Sequence, residues 1–127
     1  MSKFLQKVLS VTHWTTNLFS FQIERPKDFK FKSGEFVMIG LPNSEKPILR
    51  AYSICSPSWD ERLEFYSIIV EKGPLTSKLK NIKINDEIVL MSKSTGTLIL
   101  DALKPAKRLF LFSTGTGFAP FSSIIRD

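Results

Sequence analysis

Four consecutive residues, Arg50-Ala51-Tyr52-Ser53, set a permanent cation, an aromatic plane and a hydroxyl side by side. A guanidinium forks onto a pyrophosphate through two parallel hydrogen bonds, a phenol ring offers a broad stacking surface, and a hydroxyl can donate to or accept from a ring nitrogen. Read as a strand, Arg50, Tyr52 and Ile54 project to one face and Ala51, Ser53 and Cys55 to the other, so a flat ligand across the strand's end touches both. The chemistry implied is the holding of a planar ring system that carries phosphates. The same residues also suit a plain barrel strand with a surface Arg and a half-buried Tyr.

Two further groups point to phosphate-bearing ligands. Gly73-Pro74-Leu75-Thr76-Ser77 sets a glycine, then a proline at a helix's first position, then two hydroxyl residues in its first turn. Backbone N–H groups and the positive end of the helix dipole make an anion site there, with the Thr76 hydroxyl as an added donor. A helix start of this composition can also simply cap itself. Leu109-Phe110-Leu111-Phe112 is a continuous apolar run, the pattern of a strand buried on both faces of a parallel sheet. Ser113-Thr114-Gly115-Thr116-Gly117-Phe118-Ala119-Pro120 follows, and a helix is expected from Phe121 to Arg126. A strand, a glycine turn and a helix start form the first half of a nucleotide-binding βαβ unit.

The elements that must position these groups read as short strands. Apolar and polar residues alternate over 4–12 and 18–23 around the turn-like Trp14-Thr15-Thr16-Asn17, an opening antiparallel pair. Ser33-Gly34 makes a corner into a third strand over 35–41, and the Arg50 strand comes fourth, ended by Pro57. Leu63 to Val70 is a fifth strand, expected to pair with the Arg50 strand and bury the aromatic face between them. Leu75, Leu79 and Ile82 recur at helical spacing across 74–81, the one clear helix before the tail. Asn85-Asp86 turns into a strand over 87–91, and Ser94-Thr95-Gly96-Thr97 turns again into Leu98-Ile99-Leu100. Short strands punctuated by turn residues argue for an all-β fold, a six-stranded antiparallel Greek-key barrel with one short helix.

Composition narrows the function. At 127 residues the chain buries roughly two thirds of its unfolded surface, enough for a real core. No run approaches the roughly 18 apolar residues of a membrane helix, and the N-terminus turns polar too soon for a signal peptide, so a cytoplasmic location is expected. The lone Cys55 excludes an internal disulfide and any cysteine-rich metal or iron–sulfur site. It reads as a small packing residue. No nucleophilic set assembles around His13, the sole histidine. A formal charge of +6 suits acidic partners.

Arg-Ala-Tyr-Ser-Ile followed by Ser-Pro at 50–57 resembles the signature of the bacterial-type ferredoxin (flavodoxin)–NADP reductase family. The glycine-led 73–77 loop and Gly115-Thr116-Gly117-Phe118-Ala119-Pro120 resemble its two other marks, in family order and spacing. The resemblance covers the whole chain. It implies FAD as cofactor, with Arg50 and Thr76 on the pyrophosphate, Tyr52 stacked on the isoalloxazine and Ser53 hydrogen-bonded to the reactive ring edge, Tyr52 and Ser53 being the catalytic pair. Ala51, Gly73, Leu75 and Ser77 occupy matching cofactor positions, Ile68 and Val70 supply backbone contacts, and Thr116 flanks the nicotinamide of NADP(H).

It also implies two parts: an FAD-binding barrel over 1–103, and over 104–127 a truncated start of an NADP-binding domain, with its strand, glycine turn and helix start. The function expected is electron transfer between NADPH and an acidic carrier, ferredoxin or flavodoxin, through FAD, incomplete as a catalyst at this length. The orphan run 109–112 is expected to dock on the barrel or to pair with a second copy. Neither membrane nor nucleic acid is an expected partner. Two alternatives stay open: an FAD-binding electron-transfer subunit of a larger flavoprotein, and a non-enzymatic oligonucleotide-binding barrel, against which stand basic residues that are scattered and not interleaved with an aromatic row.

Overall fold

The computed structural model describes residues 3–42, 45–70 and 72–127. Six strands form one antiparallel sheet: β1 (Lys3–His13), β2 (Leu18–Glu24), β3 (Phe36–Gly40), β4 (Arg50–Ser53), β5 (Arg62–Ile68) and β6 (Glu87–Met91). Their order across the sheet is β4-β3-β6-β1-β2-β5. Because β6 returns to lie between β3 and β1, the connection is of the Greek-key kind.

The period-two pattern explains which residues turn inward. Phe19, Phe21 and Ile23 on β2, Leu63 and Phe65 on β5, Val37 and Ile39 on β3, and Ile88 and Leu90 on β6 are all buried in one cluster. Their polar neighbours Gln22, Glu64 and Glu87 face out or lie half-buried. The opening hairpin forms as the alternation predicts, with Val11 opposite Phe21 and His13 opposite Phe19. A register shift between Val8 and Ser10 lets β1 leave β2 and run beside β6, from Lys3 opposite Met91 to Lys7 opposite Glu87. The corner before β3 needs glycine. Gly34 has φ +104°, and a Cβ there would lie 1.7 Å from the Leu98 carbonyl oxygen.

Four local expectations are revised. The helix over 74–81 shrinks to one turn, α1 (Thr76–Leu79), with Leu75, Leu79 and Ile82 buried beneath it. Leu98-Ile99-Leu100 is no strand; the chain passes instead into a 3-10 turn at Leu100–Ala102. Strand β4 pairs through its backbone with β3, Val37 opposite Tyr52 and Phe36 opposite Ser53, and not with β5. The fourth concerns 109–112, which joins no ladder and leaves Leu109 51%, Phe110 71% and Phe112 84% exposed. A parallel strand gains its hydrogen bonds from neighbours distant in sequence, and no described residue supplies them.

The other end of the tail does dock. A 3-10 turn, Gly115–Gly117, leads into α2 (Phe118–Arg126), whose Ala119, Pro120, Ser122, Ser123 and Ile124 are buried. Ser123 donates to the Ser56 carbonyl at 2.7 Å, and the Asp127 carboxylate accepts from Ser33 at 2.6 Å and Ser58 at 3.0 Å. Arg126 pairs with Glu64 at 2.9 Å, and the Trp59 indole donates to the Arg126 carbonyl at 3.2 Å. The loop that receives the helix is itself held by Arg25, which donates to the carbonyls of Ser58 and Asp60 at 2.6 and 2.8 Å. No helix among the described residues is long and apolar enough to cross a membrane.

Candidate functional site

Strands β4 and β5 stand at the two ends of the sheet order, so they meet only where the barrel curls round on itself. Beyond β4 their courses touch, the Cys55 amide donating to the Glu64 carbonyl at 2.8 Å. Elsewhere no ladder joins them among the described residues. The gap is a cleft of about 410 Å³, lined by Arg50 to Ser53 on one side and Tyr66, Ser67, Ile68 and Val70 on the other. The loop Gly73 to Thr76 closes one end, and Thr116 and Ala119 reach over from the tail. An imperfectly closed barrel thus opens a long slot between the strands that carry the chemistry-bearing residues.

The fourth strand delivers its residues as the alternation requires. Tyr52 shares the inner face with Val37, its phenol edge-on to Phe65 at 88° and 6.4 Å between ring centres. Its hydroxyl lies 2.9 Å from Ser67 Oγ. Burial pushes the Tyr52 hydroxyl above its ordinary pKa, partly opposed by that hydrogen bond. Ser53, on the opposite face, is half-buried. No described residue hydrogen-bonds its side chain, so it is available to a ligand. Arg50 is exposed at the slot's mouth, and one Nη1 proton goes to the Leu49 carbonyl at 2.9 Å, leaving the rest of the fork unspent.

The 73–77 loop is built differently from its sequence reading. The Thr76 hydroxyl accepts from the Val70 amide at 3.1 Å and donates to the Val70 carbonyl at 3.0 Å, so it clips the loop together. Gly73 to Thr76 border the cleft with that hydroxyl committed to the loop. A Cβ on Gly73 would lie 2.5 Å from Thr76 Oγ1 and 3.1 Å from the Val70 carbonyl oxygen, so the clip needs glycine there. Leu75 turns its side chain into the core as well as bordering the cleft. Ser77 lies outside the cleft wall, its amide bonded to the Gly73 carbonyl at 3.2 Å. Gly115, at φ +54°, brings the glycine turn over β5; a Cβ there would lie 3.4 Å from Ile68 Cδ1.

The cleft thus unites Arg50, Ala51, Tyr52, Ser53, Ile68, Val70, Gly73, Leu75, Thr76 and Thr116 of the sequence-expected set. Sequence reasoning missed Tyr66 and Ser67, and named Pro74 and Ala119 only as parts of the 73–77 loop and of the glycine-turn motif, with no role of their own. Alternation from Ile68 would have found Tyr66, which shares its face of β5. Tyr66 is pushed up to about 12, by burial first and then by the neighbouring Cys55 thiol. Cys55 is fully buried, and burial raises its thiol too. Tyr66 and Thr116 also border an adjoining apolar hollow of about 310 Å³ with Trp14, Leu18, Gly115 and Phe118. Among the described residues no three His, Cys, Asp or Glu side chains gather as metal ligands.

A cation at the mouth, an aromatic plane within, and a glycine loop too tight for any side chain at the far end are an arrangement that fits FAD. Comparison with known proteins agrees. Residues 4–98 match the model of the oxidoreductase FAD-binding domain family. A flavodoxin/ferredoxin–NADP reductase of Rhodobacter capsulatus is 59% identical over 123 residues, 96% of this chain and 46% of the relative. A ferredoxin–NADP reductase of Pseudomonas aeruginosa is 53% identical over 98% of this chain and 48% of its own length. Among solved structures, a ferredoxin–NADP+ reductase of Neisseria gonorrhoeae with bound FAD and NADP superimposes with a TM-score of 0.95 at 32% identity, covering 100% of this chain and 52% of that one. The chain spans about half the length of the relatives it matches. It belongs to the oxidoreductase FAD-binding domain family, on the ferredoxin/flavodoxin–NADP reductase branch, and corresponds to the flavin-binding part of those reductases.

Proposed function

We propose that the β4–β5 cleft binds FAD and that this chain is the flavin-holding part of a reductase moving electrons between NADPH and an acidic carrier, ferredoxin or flavodoxin. The observation that carries the reading is the meeting of Arg50, Tyr52, Ser53, Gly73, Thr76 and Thr116 around one slot. When bound, FAD supplies the redox chemistry, exchanging a hydride on one side and single electrons on the other. This chain's own residues hold and tune. Arg50 and the backbone at the start of α1 take the pyrophosphate, Tyr52 provides the stacking plane, and Ser53 offers its uncommitted hydroxyl to the ring edge. Tyr52 and Tyr66 are neutral phenols at physiological pH, and burial pushes both pKa values further up.

Thr116 overhangs the same slot, and we assign it to the nicotinamide side. Residues 104–127 then begin the NADP-binding half, following a barrel that ends near residue 103. The unpaired run 109–112 takes a strand partner, from the remainder of a nucleotide-binding sheet or from a second copy of this chain. The net charge of +6 favours the acidic carrier, and a cytoplasmic setting suits both carrier and coenzyme.

The test is the visible absorption spectrum of the protein after incubation with FAD and desalting. Two flavin bands that survive desalting are expected, and Arg50→Ala should weaken retention by about tenfold or more, the scale of a charge-assisted contact. A protein that stays colourless would overturn the reading. So would salt-dependent binding of single-stranded DNA with no flavin uptake, in favour of the oligonucleotide-binding alternative.

A further inference from the structure

One backbone bond, from the Cys55 amide to the Glu64 carbonyl at 2.8 Å, ties the course of β4 to β5, and it lies three residues beyond Tyr52. Its strand is laddered to β3, and across the cleft no ladder is formed among the described residues. At Tyr52 itself the link is made by side chains. The Tyr52 ring rests edge-on against Phe65, which is fully buried and itself packs on Phe21 at 5.4 Å. That contact seats the base of the ring. The tip is held by the hydrogen bond to Ser67, whose side chain is 1% exposed. A hydroxyl buried to that degree must be partnered, and Tyr52 is the partner the structure gives it. Each group therefore holds the other: withdrawing the phenol would strand Ser67, and removing Ser67 would free the phenol to swing.

Resting on the flavin reading, we infer that Ser67 is a positioning residue that sets the plane in which Tyr52 meets the cofactor. It acts through Tyr52. The hydroxyl of Tyr52 is engaged with Ser67, either oxygen being the donor, so what Tyr52 chiefly offers the cleft is its ring, and of the two hydroxyls the one without a partner among the described residues is that of Ser53. This separates the two residues the sequence groups as a catalytic pair: Tyr52 is an oriented wall, and Ser53 is the free hydroxyl.

The experiment uses the whole chain loaded with FAD and compares Ser67→Ala, Tyr52→Phe and the double variant. Flavin fluorescence and visible circular dichroism report the stacking plane, and titration reports affinity. Both single variants should brighten the flavin and change its dichroism in the same direction, with FAD bound about threefold to tenfold more weakly, the worth of one neutral hydrogen bond. The double variant should be no further from wild type than either single one, because both remove the same bond. A Ser67→Ala protein with a lower melting temperature but an unchanged flavin spectrum and affinity would overturn the inference and leave the flavin site standing. If Ser67→Ala does not fold, Tyr52→Phe removes the bond from the other side and decides the matter alone. A wild-type chain that takes up no FAD would overturn the functional reading and this inference together.

Discussion

Single side chains in this molecule differ in how much of their chemistry remains uncommitted, and that decides their roles. Ser53 and Arg50 keep donors unspent, whereas the Thr76 and Tyr52 hydroxyls are already bonded. Tyr66 gives a test in pH. Its hydroxyl is pushed up to about 12 in the fold, by burial and then by Cys55, against about 10 in an unfolded chain. A group whose folded pKa is raised stabilises the protein fully below the unfolded value and loses that contribution as pH climbs through the folded one. Thermal melts should therefore show stability falling between pH 10 and about 12, and Tyr66→Phe should flatten that fall. The residues legible in the sequence were those whose type names a chemistry, such as Arg50, Tyr52 and Gly73. Ser67 was not, because a serine inside a strand acquires a role only from what the fold sets opposite it.

At the level of elements, the strands were readable because alternation is a local signal that the barrel interior then rewards. The expected 18–23 became Leu18–Glu24, and 87–91 was met residue for residue. Helix 74–81 is regular only over Thr76–Leu79; on either side its i−3 and i−4 bonds continue as turns, Ser77 to Gly73 before it and Ile82 to Leu79 after it. The pairing of β4 was misjudged because neighbours in sequence need not be neighbours in a Greek key, and β3 claims β4 first. The corner before β3 offers a prediction at this scale. Gly34→Ala would force a φ of +104° on a side-chain residue and drive its Cβ into the Leu98 carbonyl, 1.7 Å away. The backbone strain alone is worth about 1–3 kcal/mol, so Tm should fall by about 5–10 °C in a melt read by far-ultraviolet circular dichroism. An unchanged Tm would mean that the corner adopts another conformation.

Taken whole, the molecule is a nearly closed barrel with a short helix strapped across it and an apolar run left uncovered between them. Leu109, Phe110 and Phe112 expose hydrophobic surface beside unpaired backbone, a combination that invites association. Light scattering at rising protein concentration should find larger species, and Phe110→Ser with Phe112→Ser should suppress them without disturbing the barrel, since neither ring belongs to its core. A monomer at every concentration would show that the run stays free. The sequence could not announce this exposure, since an apolar run looks the same whether its neighbours exist or not. The slot between β4 and β5 carries a different consequence. Every adjacent pair in the sheet order is stitched by a ladder of peptide groups, whereas the two end strands are tied by the single Cys55–Glu64 backbone bond and by side chains. On the flavin reading, the final closure of the barrel is delegated to a molecule the ribosome does not make, and the loaded protein is the finished fold, the empty chain a cylinder with one stave loosely fastened.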